Sequence, residues 1–282
     1  MKLGGRRESG NVIDSRGRRV GRASLGIGGT IVLGLLVWLM GGNPLDVLRN
    51  GGGAVATQTE EYQPTKEEEE LAKFSRQILA GTEDVWAKVF EQNGMTYTPP
   101  KMVLFTQAVQ SGCGAAGAQM GPFYCSADQS LYIDLSFFRE MRSKLGASGD
   151  FAYAYVIAHE VGHHVQNLLG TLDQAHAQMS KVDKKRANAI SVRLELQADY
   201  YAGVWAHHDN KMFGSLEPGD IEEGINAAHA IGDDKLQMEA QGYVVPDAFN
   251  HGTSAQRAAW LYKGYRLGTI RDGDTFNLPD PS

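Results

Sequence analysis

The sequence predicts an α+β fold, a mixed or antiparallel sheet packed against long helices, with one apolar helix ahead of the domain. Three observations point there. Residues 130–138, Ser-Leu-Tyr-Ile-Asp-Leu-Ser-Phe-Phe, are bulky and β-branched and read as a strand. Apolar residues recur at helical spacing over 151–169, about 183–207 and about 253–265. Glycine supplies 34 of 282 residues, above the usual ~7%, which asks for many turns rather than a compact helical bundle.

The chain opens with a basic arm, residues 1–22. Lys2, Arg6, Arg7, Arg16, Arg18, Arg19 and Arg22 outnumber Glu8 and Asp14, so the remainder is more acidic than the overall net charge of −6 suggests. An acidic body is a poor electrostatic partner for nucleic acid, and that class of function is set aside. No charge occurs from Ala23 to Pro44. As a helix, residues 23–42 span about 30 Å, enough to cross a hydrocarbon core. Positive charge before this segment and little after it predicts a single-pass anchor in the cell (inner) membrane. The N-terminus is then cytoplasmic and the domain periplasmic or extracellular. A cleaved signal peptide and a buried core helix are the alternatives. No Ala-x-Ala-like site follows closely, and so long a basic region is atypical of secretion.

Residues 43–66 read as a flexible linker, glycine-rich and polar, leaving 67–282 as the folded domain. Glu67–Glu70 open a helix at the end where acidic groups suit the backbone dipole. Its apolar stripe (Leu71, Phe74, Ile78, Val85, Trp86, Val89) breaks near Gly81-Thr82, so two helices ending at Asn93-Gly94 are compatible with it. Residues 102–105 form a second strand. Between the strands lies a glycine-rich stretch with the two cysteines, Cys113 and Cys125. Outside the cytoplasm, a disulfide closing this loop is expected. Free thiols and metal-binding thiolates are the alternatives, the latter weak without a CxxC spacing.

His159-Glu160-Val161-Gly162-His163 lies inside the 151–169 helix. Residues four apart sit one turn above each other, so both imidazoles can reach one ion. Glu160, about 100° round the helix, stays close enough to touch a water on that ion without ligating it. Two neutral nitrogens and an adjacent base are what a zinc hydrolase needs. A catalytic site wants a third protein ligand, and Glu195-Leu-Gln-Ala-Asp199 is the best source. Its two carboxylates are again four apart. One can bind the ion; the other can accept a hydrogen bond from the far nitrogen of a ligand histidine, fixing its tautomer. Ala198 is small enough to let two helices approach. Taken singly, HEVGH also suits a helix whose histidines merely pack, and Glu195 an ordinary surface carboxylate.

HEVGH followed by ELQAD, with the strand SLYIDLSFF before it, resembles the gluzincin metallopeptidases, whose pattern is HExxH and then ExxxD. ELQADYYAG is similar to membrane-linked members carrying ExxAD. With CGAAGAQMGPFYC and FNHGTSAQR added, most of the chain resembles the bacterial family of neutral zinc metallopeptidases, which typically has an N-terminal membrane anchor. The resemblance implies a zincin-like domain holding Zn2+ through His159, His163 and Glu195, with Asp199 orienting His159. It also implies that residues 131–135 border the cleft, where an extended peptide could add to the strand edge at Leu131 and Ile133. His251 and Arg257 resemble the downstream histidine-and-arginine motif of ExxAD peptidases. His251 is then the candidate oxyanion donor, with Tyr200, Tyr201 and Tyr243 as rivals. Arg257 is a candidate for anchoring that segment or binding substrate. One departure is the gap of 31 residues between His163 and Glu195, part of it strongly basic.

The expected chemistry is hydrolysis of a peptide or protein substrate. Zinc lowers the pKa of water towards ~7, and Glu160 takes the proton and delivers it to the leaving amine. A membrane-tethered binding or scaffold protein with a structural zinc is the alternative from another class; such sites usually take four protein ligands. Hydrolysis of a non-peptide bond is a third.

Overall fold

The computed structural model describes residues 1–18 and 62–277. The expected anchor at 23–42 and all but the last residues of the 43–66 linker lie outside the described residues. Among the described ones, no helix is long and apolar enough to cross a membrane.

The first half holds β1 (Val12–Asp14), α1 (Lys66–Gln92), β2 (Lys101–Phe105), β3 (Ala108–Ser111), β4 (Gly114–Gly117), β5 (Phe123–Cys125) and β6 (Ser130–Asp134). The second is helical: α2 (Ser136–Lys144), α3 (Asp150–Leu168), α4 (Thr171–Met179), α5 (Lys184–Phe213), α6 (Asp220–Ala230), α7 (Asp233–Gln241) and α8 (Ser254–Leu267). The main sheet has the order β1-β2-β6-β5, parallel except for β5, so it is mixed as expected. β3 and β4 form a separate antiparallel hairpin. Side chains alternate across a strand, and both faces of β2 and β6 are covered. Met102, Leu104, Leu131 and Ile133 enter the main core with Trp86, Ile157, Val161 and Trp205. Val103, Phe105 and Tyr132 pack on the hairpin side with Val109 and Ala116. Cys113 and Cys125 are joined by the expected disulfide, which ties the hairpin to β5.

Three expectations are corrected. The strand read over 130–138 ends at Asp134, whose carboxylate accepts the amides of Gln107 (2.8 Å) and Ser136 (2.9 Å) and turns the chain into α2. Leu131 is not on a free edge, because β6 is paired with β2 on one side and with β5 over Ser130–Tyr132 on the other, and the side chains of Leu131 and Ile133 are fully buried, so neither offers a side chain to a substrate. α1 runs unbroken through Gly81, because that glycine is a packing site. A Cβ there would lie 2.7 Å from Arg6 Nη2 and 3.0 Å from Asp209 Oδ1.

That contact shows where the basic arm goes. Residues 1–18 are part of the folded body rather than a separate unit. β1 pairs with β2 in register Val12 to Met102. Arg6 donates to both carboxylate oxygens of Asp209 (2.7 and 3.1 Å), Arg7 pairs with Asp84 (2.6 Å) and Glu83 (2.9 Å), and Arg16 with Glu69 (2.8 Å). Glu83, buried inside α1, also accepts Ser9 and Asn11.

The helices that carry the candidate ligands cross closely. On α3, Gly162 meets α5 at Ala198, where a Cβ would lie 2.8 Å from the Ala198 carbonyl oxygen. On α8, a Cβ at Gly264 would collide with the Tyr200 carbonyl of α5. Small residues thus set the separation of three helices. The caps fix their ends: Asp183 accepts Arg186 N at the start of α5, and Thr253 with Gln256 forms a capping box on α8.

Candidate metal centre

α3 presents His159 and His163 one turn apart, and α5 brings Glu195 opposite them. Glu195 Oε2 lies 3.2 Å from His159 Nε2, and Oε1 lies 3.5 Å from His163 Nε2. One donor atom from each of the three residues falls within 4.8 Å of the other two. Two imidazole nitrogens and a carboxylate oxygen suit zinc. His163 and Glu195 are partly exposed, so the cluster has an open side.

Both imidazoles are held from behind. His159 Nδ1–H donates to Asp199 Oδ1 at 2.8 Å, and His163 Nδ1–H to Gln166 Oε1 at 2.9 Å. Each bond leaves the Nε2 atom turned towards Glu195. Asp199 is fully buried and also accepts Tyr155 Oη (2.6 Å), Arg257 Nε (2.9 Å) and Arg257 Nη2 (3.0 Å). Gln166 is fixed in turn by donating to the Leu194 carbonyl at 2.6 Å. Glu195 therefore faces the two Nε2 atoms and Asp199 stands behind His159, so His159, His163 and Glu195 form a group that could hold a metal, with Asp199 outside it.

The charges at the site are strongly coupled. Burial opposes protonation of His159, but the Asp199 carboxylate outweighs it and pushes the imidazole up to about 10. Burial also disfavours charge on Glu195, yet the neighbouring His163 and His159 hold its carboxyl well below the ordinary range. Asp199 is likewise lowered against the effect of burial, chiefly by the Arg257 guanidinium. Glu160 goes the other way: burial raises it, only partly countered by the two histidines. Among the described residues nothing hydrogen-bonds its carboxylate, and it stands outside the three-residue donor group.

His251 is half exposed, and its Nδ1 lies 3.1 Å from Asp233 Oδ1. Asp233 Oδ2 accepts the amides of Asn250, His251 and Gly252, so α7 pins the loop that carries the imidazole. Burial opposes the charge on His251, but the Asp233 bond and the Glu195 charge raise its pKa. Two of its rivals are committed elsewhere. Tyr200 donates to the Thr269 carbonyl at 2.8 Å, and Tyr201 is buried edge-on to Trp86. Tyr243 is exposed on the surface. Arg257 as a substrate-binding residue is corrected: its side chain is 3% exposed and its guanidinium is engaged by Asp199.

Tyr155, Gln166 and Asp233 were missed. Tyr155 precedes His159 by four positions and Gln166 follows His163 by three, so helical spacing carried a signal for both. Asp233 had none, being distant in sequence from the loop it holds.

The family described as "Putative neutral zinc metallopeptidase" matches residues 1–276. The chain belongs to that family. Its relatives include the uncharacterised protein YpfJ of Escherichia coli K12, 47% identical over 98% of this chain and 99% of that protein. The uncharacterised protein Rv2575 of Mycobacterium tuberculosis H37Rv is 43% identical over 65% of this chain and 64% of its own length. Mb2605 of Mycobacterium bovis matches to the same extent. No solved structure matches the chain. The family's name implies zinc, and the donor set of His159, His163 and Glu195 fits it.

Proposed function

We propose that this chain is a zinc peptidase that hydrolyses peptide bonds with Glu160 as general base. The observation that carries the reading is the division of labour among four carboxylates and amides around two histidines. Glu195 faces both Nε2 atoms, Asp199 and Gln166 hold the two Nδ1 atoms, and Glu160 is left uncommitted. His159, His163 and Glu195 would hold the metal. When bound, zinc supplies Lewis acidity that acidifies water and polarises a carbonyl.

Glu160 accepts the water proton on its carboxylate; its burial-raised pKa lets it hold that proton and return it to the departing amine nitrogen. His251, whose protonated form is favoured, donates to the carbonyl oxygen as charge develops there. A structural zinc site is disfavoured because such sites usually take four protein ligands. Among the described residues, no fourth His, Cys, Asp or Glu joins the three.

The test is Glu160→Gln. The variant is expected to retain zinc at wild-type stoichiometry and to lose peptide cleavage. Unchanged cleavage with zinc retained would end the assignment.

The membrane reading changes with the place of the arm. A single crossing within 23–42 would put residues 1–18 and 62–277 on opposite sides, whereas the pairing of β1 with β2 supports reading them on one side. Arg6, Arg7 and Arg16, read as topogenic charge, are engaged by body carboxylates. We propose instead that the arm and the catalytic body share one side, outside the cytoplasm, where the Cys113–Cys125 disulfide is stable.

A further inference from the structure

A cleft of about 390 Å³ opens between the N-terminal half of α5 and the loop leading into α8, the two segments that carry Glu195 and His251. Val192, Ala189, Phe249 and Pro246 make most of its wall apolar. Its volume lies in the range of ligand sites and exceeds what one large side chain requires.

Two links tie it to the centre. Val192 precedes Glu195 by three residues, one helical turn, so the two side chains are neighbours on one face of α5. Gly252 follows His251 directly, and its left-handed backbone (φ +96°) brings the loop onto α5. A Cβ there would lie 3.3 Å from Val192 Cγ1 and 3.4 Å from Leu196 Cδ2. A peptide held between Glu195 and His251 therefore has this cleft within one residue's reach.

The polar groups of the rim are already paired. Lys185 bridges Asp247 at 3.0 Å, Asn188 donates to the Asp247 carbonyl at 2.9 Å, and Arg193 donates to the carbonyls of Thr275 and Phe276. These pairs also fix the turn at 246–248 against α5, so the wall is preformed. With the rim charges paired to one another, what the cleft offers an incoming side chain is chiefly the apolar wall of Ala189, Val192, Pro246 and Phe249.

We propose that this cleft is a side-chain subsite that selects a large apolar residue, Phe, Leu or Met, next to the scissile bond, and that Ala189, Val192 and Phe249 set its size. The proposal rests on the peptidase reading above and names its substrate class. Burying an apolar side chain there favours such a substrate by at least tenfold over glycine.

The experiment uses the full-length, zinc-loaded protein and quenched fluorescent peptides that differ at one position, Phe, Leu, Gly or Asp. Ala189 is solvent-exposed on α5 and lines the cleft, so Ala189→Trp narrows it without disturbing the core. Wild type is expected to prefer Phe and Leu over Gly and Asp by at least tenfold in kcat/KM, and Ala189→Trp to bring the Phe and Leu values down to that of the Gly peptide. Equilibrium binding of the same peptides to the Glu160→Gln protein gives a readout that does not depend on turnover. The preference should appear there too, and vanish when Ala189→Trp is added. Equal handling of all four peptides by wild type, or a preference untouched by Ala189→Trp, overturns the subsite. Full cleavage by Glu160→Gln overturns the peptidase mechanism instead, so the two failures are distinguishable.

Discussion

Arg257 reaches His159 through Asp199: the guanidinium grips both oxygens of that carboxylate, and one of the same oxygens accepts His159 Nδ1–H. A residue on α8 thus determines how the His159 imidazole on α3 is turned, by way of α5. With Asp199 completely buried, removing Arg257 takes away the charge that stabilises its carboxylate most.

Arg257→Leu is therefore expected to destabilise the protein by about 3–5 kcal/mol in urea unfolding. Arg257→Lys should restore only part, since an ammonium cannot make the paired contact. Asp199→Asn and Gln166→Leu should each weaken zinc binding by about 10–100-fold in chelator competition. Wild-type zinc affinity in both variants would contradict the orienting role.

The metal-free protein should respond to pH through His159. Its pKa in the folded state, about 10, lies above the ordinary 6.5. Protonated His159 therefore stabilises the fold fully below about pH 6.5, and that contribution is lost as the pH rises through the folded value. Zinc competes with the same proton, so its affinity should rise across this window. Melting of the metal-free protein and zinc affinity, both measured from pH 6 to 10, check the two slopes; a flat zinc affinity is the contrary result.

The disulfide closes a short loop between Cys113 and Cys125. Paired Cys113→Ser and Cys125→Ser substitution should cost about 3 kcal/mol in denaturant unfolding. Tyr124, next to Cys125, reaches His164 on α3 at 2.9 Å, but neither cysteine belongs to the donor group of His159, His163 and Glu195, so zinc stoichiometry should be unchanged.

The arm gives a test of sidedness. Gly10 and Lys66 are exposed, and Gly10 has open space around it. In intact cells, a membrane-impermeant maleimide should treat Gly10→Cys and Lys66→Cys alike. Labelling of only one would separate arm from body. Arg6→Ala should lower stability by leaving buried Asp209 without its guanidinium partner.

The metal cluster was legible in the sequence because its geometry is local: two i,i+4 pairs fix which side chains share a helix face. The helices α3, α5 and α8 were legible for the same reason, their periodicity being long and sustained. What the sequence did not display was non-local. Gly81 looked like a helix breaker because Arg6 and Asp209, the groups that need its space, are far away in sequence. The basic arm looked like a topology signal because its carboxylate partners sit on α1 and α5. β6 has the composition of any buried strand, and nothing in it says that β2 and β5 cover both its edges. The shorter helices α4, α6 and α7 carry too few turns to display a clear apolar stripe.

β1 is synthesised some ninety residues before the strand it pairs with. Until Phe105 has emerged, β1 has no strand to pair with. A backbone cut between residues 18 and 62 would accordingly leave two fragments still held by a parallel ladder and three arginine clasps, a split protein able to reassemble from its pieces.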